Sequence, residues 1–472
     1  MEAIFTFLYN IINTINYYMW NYIIISLLLI VGLYFTIKLK FIQLRFLKHS
    51  FLLLFKNQKK SINHISSLEA LSTSLASVVG VGSIAGMSIA ISLGGPGTIF
   101  WVWVISFLGM SSNIIEHVLG QVYKKKTNLG LFMGGPSYYI KKGLKSPLLA
   151  ISFSIILILS YGFAFNSVQA NTIGSSINNS FNVSKESIAI FLTILTALII
   201  FGGIQRISKF SSYLVPIMGF VYILLACGAI ILNIEKLPYL FVLIIKSAFG
   251  FNEVIYGSAT YMFLQTAIIG AKRALFATEA GMGSTPNISA SAMVDHPTTQ
   301  GFIGMLGVFF VAFIICTSTA LIILSSDVYL KNTGIQGVEL VQNSLLSYLG
   351  EYSVYLLSFC IITFGFTSII GNYSYAENNM NFLISKKLYI YILRILVIIT
   401  VYYGTITPLE NVWNIADFFM GLMVLINLYA LLRLREVGIL TIKDYENQIR
   451  NKKDPIFSKS SIPQINDKDN VW

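Results

Sequence analysis

The stretch Leu75-Ala-Ser-Val-Val-Gly80-Val-Gly82-Ser83-Ile-Ala-Gly86 decides how this chain is read. It lies in a run, Ala70–Ile115, that holds no Asp, Glu, Lys or Arg. A regular helix gains nothing from three closely spaced glycines, since each costs up to about 1 kcal/mol relative to Ala. One explanation is a helix broken at mid-membrane depth, where unwinding frees carbonyls for a cation and N–H groups for a carboxylate. The other is close helix–helix packing by small residues, which Gly82-x-x-x-Gly86 also fits. Both readings stand on these residues alone. The span ends at Gly94-Gly95-Pro96-Gly97, a breaker cluster that turns the chain back.

The rest of the chain has the composition of a membrane protein. Of 472 residues, 55% are hydrophobic and 11% charged, against roughly 25% charged in a soluble domain; the mean hydropathy is +0.73. Cys227, Cys316 and Cys360 are scattered through apolar runs, and the four histidines are scattered too. That pattern excludes a disulfide framework and a clustered thiolate or zinc site. With about 20 apolar residues needed per span, the chain divides into eleven expected helices. They lie near 22–40, 69–92, 98–123, 149–178, 187–204, 210–233, 254–275, 299–326, 352–376, 388–406 and 412–433. The amino terminus has no cationic leader region and does not read as a cleaved signal. Tyr17-Tyr18-Met19-Trp20 reads as an interfacial aromatic belt. The polar tail after Arg435 is expected to be partly disordered.

The net charge of +12 is a topology signal. With the amino terminus outside, the loops at 38–68, 124–145, 205–209, 272–298 and 377–394 and the carboxyl tail face the cytoplasm and hold 28 of the 32 Lys and Arg. The positive-inside rule favours this orientation, and cytoplasmic anchoring explains the charge better than nucleic-acid binding.

Other small and polar groups interrupt the apolar background. Gly257-Ser258-Ala259-Thr260 stands near the outer end of the seventh span. If the first helix is peripheral, the next ten fall into two sets of five, each opened by a Gly-interrupted span, the pattern of inverted-repeat transporters. The expected units are 1–68 (first helix and basic loop), 69–247 (first repeat), 248–433 (second repeat) and 434–472 (polar cytoplasmic tail). Asn166 and Gln169 share a helical face, with Asn171 nearby; they suit a substrate's carboxylate or amine, or a bridge between helices. Thr367 and Ser368 could give hydroxyl oxygens to a hard cation, or bond back to their own helix.

The Gly80 span from Ala70 onward, and the Thr367 span between Tyr352 and Ala376, carry no Asp, Glu, His, Lys or Arg. Proton-driven carriers usually place a titratable group in the membrane, so this neutrality favours Na⁺ and a zwitterionic substrate. Glu116 and His117 are the exception; Glu116 reads as a structural partner for a cation at the cytoplasmic end. A channel would need polar stripes, and a membrane-embedded enzyme would need a His/Glu/Asp/Cys constellation at one depth. Neither pattern is present in the sequence.

Several blocks together resemble the alanine or glycine:cation symporter family. They are Gly80-Val-Gly-Ser-Ile-Ala-Gly86 with Leu93-Gly-Gly-Pro-Gly97 and Phe100-Trp-Val-Trp103, then Gly134-Gly-Pro-Ser-Tyr-Tyr-Ile140, then Phe165-Asn-Ser-Val-Gln-Ala-Asn171. The most specific is Lys272-Arg-Ala-Leu-Phe-Ala-Thr-Glu-Ala-Gly-Met-Gly-Ser284, with His296-Pro297 and Gln300-Gly301 after it. Cys316–Leu321 and Phe364–Glu377 extend the match to roughly residues 69–433.

The resemblance implies an all-α, leucine-transporter-like fold of five plus five inverted helices preceded by one extra helix. It implies Na⁺ as coupling ion, alanine or glycine as substrate, and a prokaryotic plasma membrane; no nucleic acid and no second copy of the chain are called for. A proton-coupled permease of the same fold is the alternative, and a channel the alternative of another class. The substrate positions implied are Gly80, Gly82, Ser83, Asn166, Gln169, Gly257, Ser258, Ala259 and Thr260; those for Na⁺ are Val79, Gly82, Thr367 and Ser368. Phe163, Phe165, Tyr261 and Met262 are large enough to narrow such a pocket. The family usually has Asn where this chain has Ser83. It more often has Ser-Asn where this chain has Ala277-Thr278, a pair expected on a cytoplasmic loop away from substrate.

Overall fold

A computed structural model describes residues 2–55, 80–127, 132–250, 259–331, 334–465 and 471–472. Among them seven helices are long and apolar enough to cross a bilayer: Tyr9–Lys38, Thr98–Val122, Pro147–Phe181, Pro297–Leu324, Glu351–Leu383, Lys387–Ile406 and Leu409–Arg433. An eighth is the bent pair Pro216–Leu232 and Ile234–Ala248, which meet at 76°. The other expected spans take different forms. The 187–204 span is the 16-residue helix Lys185–Ile200, started by Ser184, whose side chain accepts from the Ser187 N–H. The 69–92 span is seen as its second half, Val81–Gly94. The 254–275 span is Ala259–Thr278.

The Thr98–Val122 helix is the axis of the molecule. From Gly109 to Val122 every residue is buried, as expected of a helix enclosed on all sides. Glycines on it and its neighbours set the closest approaches. Gly32 of the first helix lies against Leu108, so that a Cβ there would stand 2.7 Å from the Leu108 Cβ. The first helix therefore packs into the bundle. Met19 and Trp20 are buried, and the Trp20 indole donates to the Asp417 carbonyl at 3.2 Å. Only Tyr17 and Tyr18 of the expected belt are exposed. At the turn after Gly94, Gly95 has a φ of 73°, a conformation that suits Gly, and the Gly97 N–H donates to Ser247 Oγ at 3.1 Å.

The end of the bundle that carries Lys124, Lys125 and Lys126 is the basic end; Gly94–Thr98 marks the opposite end. The carboxyl tail is more ordered than its polarity predicts. Arg435–Arg450 is helical, the Phe457 N–H donates to the Asp295 carbonyl at 2.9 Å, and the Trp472 indole donates to the Gln121 carbonyl at 2.9 Å. The Lys124 ammonium sits 4.3 Å from the Phe132 ring and 4.4 Å from that of Trp472. Polar residues thus close onto the basic end through aromatic and main-chain contacts, which composition alone does not register.

Candidate functional site

Two helix breaks lie side by side at the centre of the bundle. In the first, Gly80 is extended (φ −104°, ψ −163°), Val81–Ser83 form a single 3₁₀ turn, and a regular helix starts at Ala85. The bonds are of the tighter kind: Ser83 N–H to Gly80 carbonyl at 3.4 Å and Ile84 N–H to Val81 carbonyl at 3.1 Å. Side chains take up part of what the helix gives away. Gln169 Oε1 accepts from the Val81 N–H at 3.2 Å. The Ser83 hydroxyl donates to the Gly80 carbonyl at 3.0 Å. The Thr319 hydroxyl, itself paired with the Tyr222 hydroxyl, stands 3.0 Å from the Ser83 carbonyl. Gly80 is wedged against Ser368 Oγ and Gln169, which leaves no room for a Cβ.

A second break follows the Ala259–Thr278 helix. Gly257 and Ser258, like Val79, lie outside the described residues, and Ala259 opens a 20-residue helix that runs to Thr278. The chain unwinds after Thr278, where Glu279, Gly281 and Gly283 have φ of 56°, 92° and 77°. The glycines suit that left-handed backbone. The depth of this segment follows from its neighbours along the Thr98–Val122 helix. Gly270 packs on Trp101 and the Thr98 carbonyl, Gly109 on Ala280, and Gly120 on Pro286. The Lys272–Ser284 block therefore runs down the middle of the bundle and is not a loop at its basic end. Lys272 and Arg273 leave the expected cytoplasmic tally. Ala277 and Thr278 stand beside the site, because a Cβ on Gly82 would lie 2.5 Å from Phe276 Cδ1 and 3.4 Å from the Phe276 carbonyl.

The lining is aromatic and neutral around the first break. Phe276 packs on Phe165 and on Trp413, both with ring centroids 4.6 Å apart. Tyr161, brought in by a widened π turn over Ile158–Ala164, packs on Phe165 and Tyr375 at 4.6 and 5.0 Å. Of the four expected bulky residues Phe165 is in this layer, and Phe163 is partly exposed. Phe276 and Trp413 are the additions. Beyond them, toward the opposite end, Arg273 holds Asp417 through two bonds of 2.8 and 2.6 Å and lies 4.3 Å from the Trp413 ring. Lys272 completes the group at 3.6 Å from Asp417.

Of the two predicted ion-site hydroxyls, Ser368 comes to the first break, and Thr367 precedes it on the same helix. Thr367 and Ser368 donate to the Phe364 carbonyl at 3.0 and 2.9 Å. This is the local back-bonding that the sequence leaves open; it takes up the hydroxyl protons. Asn166 is turned to the neighbouring helix, accepting from Asn372 Nδ2 at 3.1 Å. Asn171 caps the Lys387–Ile406 helix, donating to the Gly404 and Thr407 carbonyls at 3.2 and 2.5 Å. The expected cation partner of Glu116 is absent among the described residues. Its Oε1 accepts from Asn427 Nδ2 at 2.8 Å, and Asn427 also donates to the Gly281 carbonyl of the second break. Sequence reasoning missed the second break because Lys272-Arg273 marked the block as cytoplasmic. The signal was Gly281-x-Gly283, spaced like Gly80-x-Gly82.

Known proteins agree with this architecture. The crystal structure of MhsT in complex with L-phenylalanine superposes with a TM-score of 0.57 at 14% identity, covering 81% of this chain and 98% of that one. The fold is thus all-α and leucine-transporter-like. The amino-acid carrier protein AlsT of Bacillus subtilis is 42% identical over 98% of this chain and 97% of its own length. The probable sodium/glutamine symporter GlnT of the same organism is 41% identical over 97% and 95%. A model of the sodium:alanine symporter family matches residues 5–459, and this multi-pass membrane protein belongs to that family.

Proposed function

We propose that the chain imports a small neutral amino acid, alanine or glycine, coupled to Na⁺ by alternating access. The observation that carries this reading is the pairing of two segments of non-helical backbone at mid-bundle, one of them neutral and walled by aromatic rings. The backbone at Gly80–Ser83, with Gln169 beside it, receives the substrate carboxylate. Carbonyl groups of the second break near Thr278 receive the ammonium. Thr367 and Ser368, with carbonyls of the Val79–Gly82 segment, hold Na⁺ between the two helices that must separate. Phe165, Phe276 and Trp413 restrict the side chain to a small one.

The Arg273–Asp417 pair above Trp413 acts as the outer barrier. Opening it parts the second break from the Leu409–Arg433 helix, and closing it shields the substrate from the outside. With the basic end in the cytoplasm and the amino terminus outside, each Na⁺ entering gains about 2.3 kcal/mol per 100 mV. That charge movement is enough to concentrate a zwitterion. Glutamine is a second reading of the same site, favoured by the name of the relative GlnT.

Uptake of labelled alanine, glycine and glutamine into proteoliposomes, with Na⁺ or with choline in its place, tests the reading. Alanine or glycine uptake that requires Na⁺ is expected. Equal uptake in choline, driven instead by a pH gradient, would point to the proton-coupled permease.

A further inference from the structure

The second break holds a feature that the reading above does not use. Glu116, on the axial helix, is fully buried. One carboxylate oxygen accepts from Asn427 and the backbone N–H groups of Gly281 and Gly283 face the carboxylate. Its other oxygen, Oε2, has no hydrogen-bond partner among the described residues. Asn113 lies one turn away on the same helix face, and its Oδ1 is likewise buried without a partner. Glu279, buried and within electrostatic reach of Glu116, adds a second carboxylate.

Among the described residues, the groups around Glu116 supply it no positive charge. On its own helix, the His117 ring is turned to the Asn113 carbonyl and packed on Gly304. Lys124, two turns on, is held by Gln121 Oε1 at 2.7 Å and the Ala292 carbonyl at 3.3 Å. The Pro136–Gly143 helix contributes Tyr139, whose hydroxyl donates to Asn427 Oδ1. Tyr161 faces Glu279, and the Ser284 hydroxyl donates to Glu279 Oε2 at 2.5 Å. Arg273 and Lys272 are engaged with Asp417 on the opposite-end side. An ionised carboxylate buried without a cation is strongly disfavoured, and a second carboxylate nearby worsens it. A role confined to clamping the loop would not need a charge or leave Oε2 bare; the isosteric amide would serve as well.

We infer that Glu116, with Asn113 and Glu279, forms a second cation-binding site, taking one monovalent cation, H⁺ or Na⁺, on the basic-end side of the helix breaks. A proton on Glu116 Oε2 would make that oxygen a donor. A Na⁺ would be met by carboxylate and amide oxygens, its preferred ligands. The site touches three elements that transport must move: the axial helix, the second break and, through Asn427, the Leu409–Arg433 helix. Its occupancy therefore favours the arrangement in which they are joined. The role in coupling rests on the transport reading, whereas the binding itself does not.

The test compares purified wild-type protein with Glu116→Gln and Glu279→Gln in detergent, without amino acid. Binding of ²²Na⁺ and proton release from weakly buffered protein on adding Na⁺ are measured, with infrared spectra of the carboxyl region across pH. The wild type is expected to bind one cation more than either variant. A protonated-carboxyl band lost in Glu116→Gln identifies the ion as H⁺, and a lost ²²Na⁺ equivalent identifies it as Na⁺. Equal ²²Na⁺ binding, proton release and carboxyl bands in folded wild type and Glu116→Gln overturn it. If neither variant folds, the wild-type spectra decide, since absence of both a protonated-carboxyl band and a Na⁺-sensitive carboxylate band overturns it as well. Proteoliposomes without amino-acid uptake would reject the proposed transport and leave this binding result standing.

Discussion

The two breaks answer the same problem in different chemistry. Both leave main-chain groups outside a regular helix in the low-dielectric middle of the bundle, where each unmet group is costly. The first break is met by neutral groups, namely the Gln169 amide, the Ser83 and Thr319 hydroxyls, and Ser368 alongside. The second is met by Glu116 through Asn427 and by Glu279 with Ser284. Neutral dipoles bind and release a zwitterion without a fixed charge to compete for either end. Carboxylates instead hold their segment against its neighbours and, under the proposed cation site, would tie its state to a cation. On the proposed transport reading, the difference gives substrate handling chiefly to the first break and conformational control to the second.

The comparison can be broken most directly at Gly82. Gly82→Leu drives a side chain into Phe276, and overpacking of about 3 kcal/mol corresponds to roughly a hundredfold loss of uptake. Membrane insertion is expected to persist. Wild-type uptake by this variant would return the glycines to a packing role elsewhere.

The charged layer beside Phe276 should respond in stability. Asp417→Asn leaves the buried Arg273 guanidinium without its bidentate partner, a change worth about 3–5 kcal/mol. A lower unfolding temperature in detergent is expected, together with easier labelling of a cysteine placed near Trp413 from the outer side.

Gln169→Ala removes the acceptor for the Val81 N–H and should cost about 1–3 kcal/mol, read as weaker alanine binding at unchanged Na⁺ dependence. Thr367→Ala combined with Ser368→Ala should do the reverse, raising the Na⁺ concentration for half-maximal uptake about tenfold, ~1.4 kcal/mol. Identical Na⁺ curves would remove these hydroxyls from the ion site.

The smallest effect concerns Lys124, beyond the axial helix at the basic end. Burial pushes its ammonium down to about 7 from the ordinary lysine value of 10.5. The unfolded chain then binds more protons than the folded one between these values, so stability rises with pH across about 7 to 10.5. Below that window both states are protonated and the burial penalty is complete. Lys124→Met should flatten the rise in unfolding temperature, and an unchanged slope would assign the pH dependence to another group.

The membrane class, the breaker at Gly94–Gly97 and the first break were legible because they depend on local composition. Gly80, Gly82, Ser83, Gln169 and Ser368 come together as their residue types suggest. The second break was legible only as a motif. Its glycines follow Lys272 and Arg273, and a local charge rule reads those cations as solvated. They are instead neutralised by Asp417, far along the chain. Asn166 and Asn171 show the reverse case, in which amides suited to a ligand face Asn372 and helix-end carbonyls in the structure.

The sequence by itself determined which segments are apolar enough for lipid and where the backbone cannot remain a regular helix, because hydropathy and glycine conformational freedom act over a few neighbouring residues. Tertiary structure decided which two breaks meet, which cation is buried against which carboxylate, and that Glu116 is left with a bare oxygen at the second break. Those outcomes depend on the cost of burying charge beside partners more than a hundred residues away, and no local pattern encodes that distance.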